Sequence, residues 1–319
     1  MMNFNSVIRP IACAIAISCA LNATVEAQKD SMPAYQISPS PEVPVSVTFA
    51  GKKIDCDRID MYERLDRELT SFVYGHTNTL ITIKRANRYY PVIMPILKRN
   101  GVPDDVFYLS AIESYFNIRA YSPAKAAGLW QFIPSTAKQY GLEVNDEIDE
   151  RYNVEKSTEA ACRYLKNGYA KYGDWATVMA SYNAGMNRIS KELEHQMADS
   201  SFDLYLNEET SRYVFRILAM KVVMEHPFKY GFHLTAEQLY QPIECKEVEV
   251  SGPVDDWSKW AKSYGITYAQ LREVNPWIRA KSLTNKLKKT YKVKIPYSDE
   301  LYRSKRKFKA YNQQWVSKK

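Results

Sequence analysis

Glu113 lies in the segment Asp104-Asp105-Val106-Phe107-Tyr108-Leu109-Ser110-Ala111-Ile112-Glu113-Ser114-Tyr115-Phe116, a helical stretch that is apolar on most of its faces. Its helical neighbours at spacings of three, four and seven are Phe116, Leu109 and Val106, so the carboxyl shares the apolar stripe. Desolvation penalises the ionised form of such a group. Without a cationic partner it stays protonated near neutral pH and can serve as a general acid. A structural glutamate satisfied by an arginine or a helix N-terminus would show the same pattern, and this helix alone weighs the two equally.

Two carboxylates upstream invite a paired-acid reading. Asp104 and Asp105, however, follow Gly101-Val102-Pro103, where an N-cap belongs. Their oxygens are expected to satisfy free backbone amides and complement the helix dipole, about two turns from Glu113. Residues 121–137 read Tyr-Ser-Pro-Ala-Lys-Ala-Ala-Gly-Leu-Trp-Gln-Phe-Ile-Pro-Ser-Thr-Ala, a loop with Pro123 and Gly128 that leads into a short helix at Pro134. An aromatic face such as that of Trp130 packs on the C–H surface of a sugar, and the Gln131 amide can bond hydroxyl or acetamido groups. Plain core packing of Trp130 is the competing reading. Further on, Ser181-Tyr182-Asn183-Ala184-Gly185 closes a helix, with Gly185 in a natural C-terminal position. Tyr182 brings a hydroxyl donor to that point and Asn183 an amide able to bridge loop and ligand.

The elements that must position these groups are helical. Apolar spacing and stops such as Asn100-Gly101 predict helices at about 58–73, 78–99, 104–117, 134–140, 155–172, 174–184 and 208–225. Pro91 and Pro95 fall inside the second, which is expected to kink or split there. Before the helices, residues 28–57 read as a proline-rich linker followed by a short strand, Val45 to Phe49. Beyond Gln241-Pro242 the period changes. Residues 247–297 read strand, helix, helix, strand: Glu247 to Val250, Asp256 to Tyr264, Tyr268 to Asn275 and Tyr291 to Ile295. The basic residues of 298–319 read as a solvated tail.

Composition bounds the function. A chain of 319 residues, 45% hydrophobic and 25% charged, matches a soluble globular protein with one substantial domain and a small companion. The net charge of +8 favours an anionic partner, although much of it sits in the tail. At the N-terminus Arg9, the apolar run Ile11 to Leu21 and Val25-Glu26-Ala27 read as a signal peptide, 1–27, too short to span a membrane. Export to the periplasm or cell envelope follows, which removes nucleic acid as a partner. Cys19 is only a weak lipid-anchor candidate, and membrane association would require that lipid. Cys56, Cys162 and Cys245 allow at most one intramolecular disulfide. His76, His195, His226 and His233 are scattered and no CxxC pair occurs, so neither a metal nor another cofactor is expected.

Taken together the segments resemble the catalytic domain of the soluble-lytic-transglycosylase family, which is related to goose-type lysozyme. The likeness rests on Glu113-Ser114, Ser122-Pro123 with Gly128-Leu129-Trp130-Gln131-Phe132, and Tyr182-Asn183-Ala184-Gly185. Glu209-Thr210-Ser211-Arg212-Tyr213-Val214 is similar to that family's late Glu-Thr-x-x-Tyr-Val helix, so the likeness covers about 104–216. The flanking parts look most like the membrane-bound murein transglycosylase D subgroup, whose members join this domain to LysM modules. Trp130 stands where many relatives carry Met, and Ser181 where Ala is common.

The resemblance implies a mainly α protein: a lysozyme-like helical catalytic domain over 58–240, then a small βααβ LysM-like domain. It implies that Glu113 is the sole catalytic acid and base, with peptidoglycan glycan strands as partner. Cleavage would fall between N-acetylmuramic acid and N-acetylglucosamine and leave 1,6-anhydromuramic ends. Carried over by position, Ser122, Gln131, Tyr182, Asn183, Glu209 and Tyr213 would contact substrate. In the C-terminal module the resemblance is to Trp260-Ala261-Lys262-Ser263-Tyr264-Gly265-Ile266-Thr267, Leu271, Asn275-Pro276 and Val293-Lys294-Ile295-Pro296. The usual Gly-Asp-Thr opening is replaced by Pro253-Val254-Asp255-Asp256, with Asp255 or Asp256 left to cap the first helix. Trp257, Trp260 and Trp277 are core residues or sugar platforms. Two rivals stand beside this reading, a hydrolytic muramidase on the same fold and a non-catalytic peptidoglycan-binding protein.

Overall fold

Ten α-helices and two antiparallel strand pairs make up residues 39–317, the part of the chain that the computed structural model describes. The expected signal peptide, Cys19 and the first part of the proline-rich stretch lie outside the described residues. From Pro41 onward the chain is one compact unit.

Helices form where apolar residues recur at helical spacing. The first, α1 (Ile59–Tyr74), buries the stripe Met61, Leu65, Leu69 and Phe72. The second, α2 (His76–Arg99), runs on through Pro91 and Pro95 unsplit, because Ile83, Ala86, Tyr89, Ile93, Ile96 and Leu97 anchor it in the core on both sides. A short 3-10 turn (Asp104–Val106) leads into α3 (Phe107–Ser114), followed by α4 (Pro134–Gln139) with proline in its first turn. Asn153 caps α5 (Val154–Tyr172) by accepting from Lys156 N, and Asp174 caps α6 (Trp175–Ala184) by accepting from Thr177 N. Next come α7 (Met186–His195) and α8 (Glu208–Glu225), the latter buried along most of its length and packed against α1, α3 and α6.

Four expectations need correction. Asp104 and Asp105 make no capping bond: Asp105 instead accepts from Ala50 N at 2.6 Å and pairs with Lys221 at 2.7 Å, pinning the segment before α3 to α8. The third helix stops at Ser114, short of residue 117. The linker's strand belongs to a hairpin, β1 (Ser46–Phe49) with β2 (Lys52–Asp55), in register Ser46↔Asp55 to Phe49↔Lys52. It buries Val47, Phe49 and Ile54 in the helical core, so the packed protein starts earlier than composition suggested. The basic C-terminal segment is not a solvated tail either. Trp315 is fully buried, stacked on Phe107 and edge-on to Tyr90, while Asn87 in α2 bonds the backbone of Lys309 and Tyr311.

The C-terminal module folds as βααβ. Strand β3 (Cys245–Val250) pairs antiparallel with β4 (Tyr291–Pro296) in register Val248↔Val293, with α9 (Trp257–Ser263) and α10 (Tyr268–Val274) between them. Asp256 caps α9 by accepting from Ser258 N, and Thr267 with Gln270 forms a capping box on α10. The core of this module extends into the helical body: Ala127, Ile148 and Tyr152 belong to the same apolar cluster as Trp257, Leu271 and Val293. Trp257 and Trp277 are buried, whereas Trp260 is only partly so, packed against Trp257 and Tyr264. Cys56, Cys162 and Cys245 are all free thiols, the first two filling buried space.

Candidate active site

The site starts where α3 ends. Tyr115 and Phe116 both take left-handed backbone conformations, φ +51° and +50°, which terminate the helix directly after Glu113-Ser114. Such conformations cost a non-glycine residue of order 1–3 kcal/mol and persist only when packing over-determines them. Here the buried Phe116 ring lies 4.6 Å from that of Phe107, and Arg85 donates to the Tyr115 carbonyl at 3.3 Å. The hydroxyls of Ser110 and Ser114 reach the Leu129 carbonyl at 3.2 and 3.0 Å, binding the buried side of α3 to the loop 121–132.

That loop is held from behind. Gly128 has φ +78°, and a Cβ there would stand 2.0 Å from the Arg151 carbonyl oxygen, so only glycine fits. The Arg151 side chain is buried and pairs in bidentate fashion with Asp149, Nε to Oδ1 at 2.9 Å and Nη2 to Oδ2 at 2.7 Å. Its remaining donors reach the carbonyls of Lys125, at 2.6 Å, and Phe132, at 3.0 Å. One guanidinium therefore holds the loop at two points, inside it at Lys125 and at its end at Phe132.

The Glu113 carboxyl points to where α8 crosses α3. The Tyr213 hydroxyl donates to Glu113 Oε1. Part of the residue stays open to solvent, but protein surrounds the carboxyl, and this desolvation raises its pKa to about 7. The Tyr213 hydrogen bond and the charge of Arg216 act against that rise, and Glu209 adds to it. Burial, then the neighbouring Glu113, holds the Tyr213 hydroxyl well above its ordinary range; Tyr182 is raised by the same causes, so both remain protonated. Tyr182 donates to the Trp130 carbonyl at 2.7 Å and thereby ties α6 to the loop. Asn183 accepts from Thr210 Oγ1 at 3.0 Å and approaches Glu209 at 3.5 Å.

This arrangement is a proton donor and acceptor poised near neutrality, with hydroxyl and amide groups around it. Residues 91–204 match the Transglycosylase SLT domain, and residues 246–299 match the soluble lytic transglycosylase C-terminal LysM-like domain. The chain carries an SLT domain. Among curated proteins it is 31% identical over 226 residues to the membrane-bound lytic murein transglycosylase D of Escherichia coli (strain K12), over 69% of this chain and 48% of that one. It is 27% identical over 166 residues to the membrane-bound lytic murein transglycosylase C of Actinobacillus pleuropneumoniae serotype 5b (strain L20), 45% of each chain. The chain thus spans about half the length of the curated relatives it matches. Of solved structures, the 70 kDa soluble lytic transglycosylase of Escherichia coli aligns at 22% identity and a TM-score of 0.38, over 43% of this chain and 24% of that one.

The fold is mainly α, with an SLT domain followed by a LysM-like module. Glu209 and Tyr213 lie just past the matched SLT range, yet α8 brings them to Glu113. Of the other residues singled out, Tyr182 sits beside Glu113, and Asn183 bridges to Glu209. Gln131, itself left-handed at φ +48°, spends its amide hydrogens on the carbonyls of Gly128 and Ala120. Ser122 bonds within its own loop, its hydroxyl accepting from Ala126 N at 3.1 Å. Trp130 is not a sugar platform: its side chain is fully buried and its Nε1 donates to Thr158 at 2.9 Å. Arg216 was missed, although it stands one turn beyond Tyr213 on the same face of α8. The Asp149–Arg151 clamp was missed too, because it forms between a loop and a 3-10 turn that show no apolar period.

Proposed function

We propose that this protein is a lytic transglycosylase of peptidoglycan, cutting between N-acetylmuramic acid and N-acetylglucosamine with Glu113 as its one catalytic acid and base. The observation that carries this reading is a carboxyl in an SLT domain, raised to a pKa of about 7 by desolvation and bonded to a tyrosine. Near that pH the carboxyl exists in both forms, as a reaction that uses it twice requires. In the first step protonated Glu113 delivers its proton to the bridging oxygen, while the muramic acetamido group assists at the anomeric carbon, an exception to the usual pair of carboxylates. In the second, ionised Glu113 takes the proton of the muramic C6 hydroxyl as that oxygen closes onto the anomeric carbon. The proton returns to Glu113 and no water is consumed. Intramolecular attack gains from high effective molarity, so the ring must be held in place.

Tyr213 stabilises the carboxylate between the steps. Tyr182, Asn183 and Glu209 would contact the sugar, and Gln131 and Ser122, whose side chains bond within the loop 121–132, would contact it or hold that loop beside it. The expected place of action is the cell envelope, where peptidoglycan is found. Among the described residues no helix is long and apolar enough to cross a membrane. Mass spectrometry of peptidoglycan digested with the protein decides the reading. Anhydromuramic ends, about one water lighter than hydrolytic ends, are expected from the wild type and absent with Glu113→Gln. Reducing ends alone would assign it instead to the muramidases.

A further inference from the structure

A cleft of about 560 Å³ opens between α1, α7 and the first turns of α8, lined by arginines from all three. Arg67 is paired with Glu208 at 2.6 Å, and Arg212 with the buried Glu68 at 2.6 Å. Arg64 and Arg188 face the same space. Among the described residues neither has an ion-pair partner within 4 Å, and Arg64 instead lies over the ring of Phe215. Glu192, the remaining carboxylate of the lining, accepts from Gln196 at 2.8 Å. Tyr205 at the rim is 89% exposed, a bare aromatic face beside two guanidiniums that no carboxylate contacts directly.

The cleft adjoins the candidate site without being part of it. Glu208 and Arg212 line it, while Glu209 and Tyr213, one position further along α8, serve Glu113. Arg64, Arg67 and Glu68 come from a helix that precedes the matched SLT range. We propose that this cleft binds the carboxylates of the peptide stem carried by a muramic residue of the strand being cut, with Arg64 and Arg188 as the ligating groups. Free guanidiniums make bidentate bonds to carboxylates, and the Tyr205 ring gives an extended peptide something to lie on. This assignment rests on the peptidoglycan reading above.

The test uses peptide-bearing glycan strands and the same strands stripped of stems by an amidase, with the full chain and Arg188→Glu. Arg188 is exposed and makes no bond within the described structure, so the fold tolerates the change. The wild type is expected to show a KM for peptide-bearing strands about tenfold below that for stripped strands, and Arg188→Glu to lose that preference. An equal preference in both chains overturns the assignment. Binding of a free stem peptide to the Glu113→Gln chain, followed by calorimetry, reads the cleft without catalysis. The Kd should rise about tenfold when Arg188→Glu is added, and an unchanged Kd rejects the site. Should the wild type cut neither strand yet bind the peptide through Arg188, the cleavage reading fails while the peptide site stands.

Discussion

Glu113 makes opposite demands on stability and on chemistry. Its pKa rises from an ordinary 4.5 to about 7 on folding, so the folded protein holds a proton that the unfolded chain gives up between those values. Stability therefore falls as pH rises through this window: the cost is absent below about 4.5 and complete above about 7. Glu113→Gln removes a charge whose burial costs roughly 3 kcal/mol, since each tenfold change in proton affinity is worth about 1.4 kcal/mol. Thermal melts are expected to show this variant more stable than the wild type at pH 8 and equal to it at pH 4; equal melting at both would mean that the carboxyl is not desolvated. Activity should follow the acid form, with kcat/KM declining above about pH 7. Tyr213→Phe deletes the hydrogen bond that favours the carboxylate, so the alkaline limb of that profile should move to higher pH. A limb that stays put would show that Tyr213 does not act on Glu113.

At the scale of elements, the loop 121–132 is shaped by groups with no part in the chemistry. Gly128→Ala would drive a methyl into the Arg151 carbonyl from a left-handed backbone position, a loss of about 3 kcal/mol or more in denaturant titrations. Arg151→Lys keeps the charge but cannot reach Asp149, Lys125 and Phe132 together. It is expected to lower kcat at least tenfold and leave the alkaline limb of the pH profile in place, since the loop moves and Glu113 does not. Wild-type kcat in that variant would remove the clamp from the account of the site. The C-terminal segment behaves likewise. Trp315 packs on Phe107 in the helix that carries Glu113, and Trp315→Ala should cost about 3–5 kcal/mol in unfolding free energy. A truly solvated tail would lose nothing.

Across the whole molecule, the LysM-like module is built onto the helical body rather than tethered to it. Asp149 N donates to the Trp277 carbonyl and Arg279 N to that of Glu147, while Glu143 receives Lys289 and the Tyr291 hydroxyl. The segment 143–152 thus faces the module on one side and, through Arg151, the site loop on the other. Excising residues 246–296 and joining Cys245 to Tyr297, whose backbones already lie side by side, keeps Trp315 on Phe107 while it bares Ala127, Ile148 and Tyr152 and removes the partner of Asp149 N. The shortened chain should melt at lower temperature and cut more slowly even on soluble glycan fragments, where extra affinity for the wall is irrelevant. Unimpaired activity on those fragments would show that the module serves targeting alone.

Much of this was legible in the chain. Repeating apolar positions specify α1, α2, α5, α6 and α8 because helix periodicity is a local property, and the small set of residues around Glu113 was recognisable by type and spacing. The helix α7 was overlooked although Met186, Ile189 and Leu193 stand at helical spacings of three and four, because the stripe is short and its other faces are charged. So was β2, whose Lys52-Lys53-Ile54-Asp55 reads as a charged loop until Ile54 meets the core. Contact between distant segments decided the rest: Trp130 inside rather than facing sugar, Asp105 given to Lys221 rather than to a cap, and Tyr213 on Glu113 across a hundred residues of sequence. Propensity and period act over a turn or two of chain. The pKa of a carboxyl is set by whatever the fold brings within a few ångströms of it, and that is known only once the helices have packed.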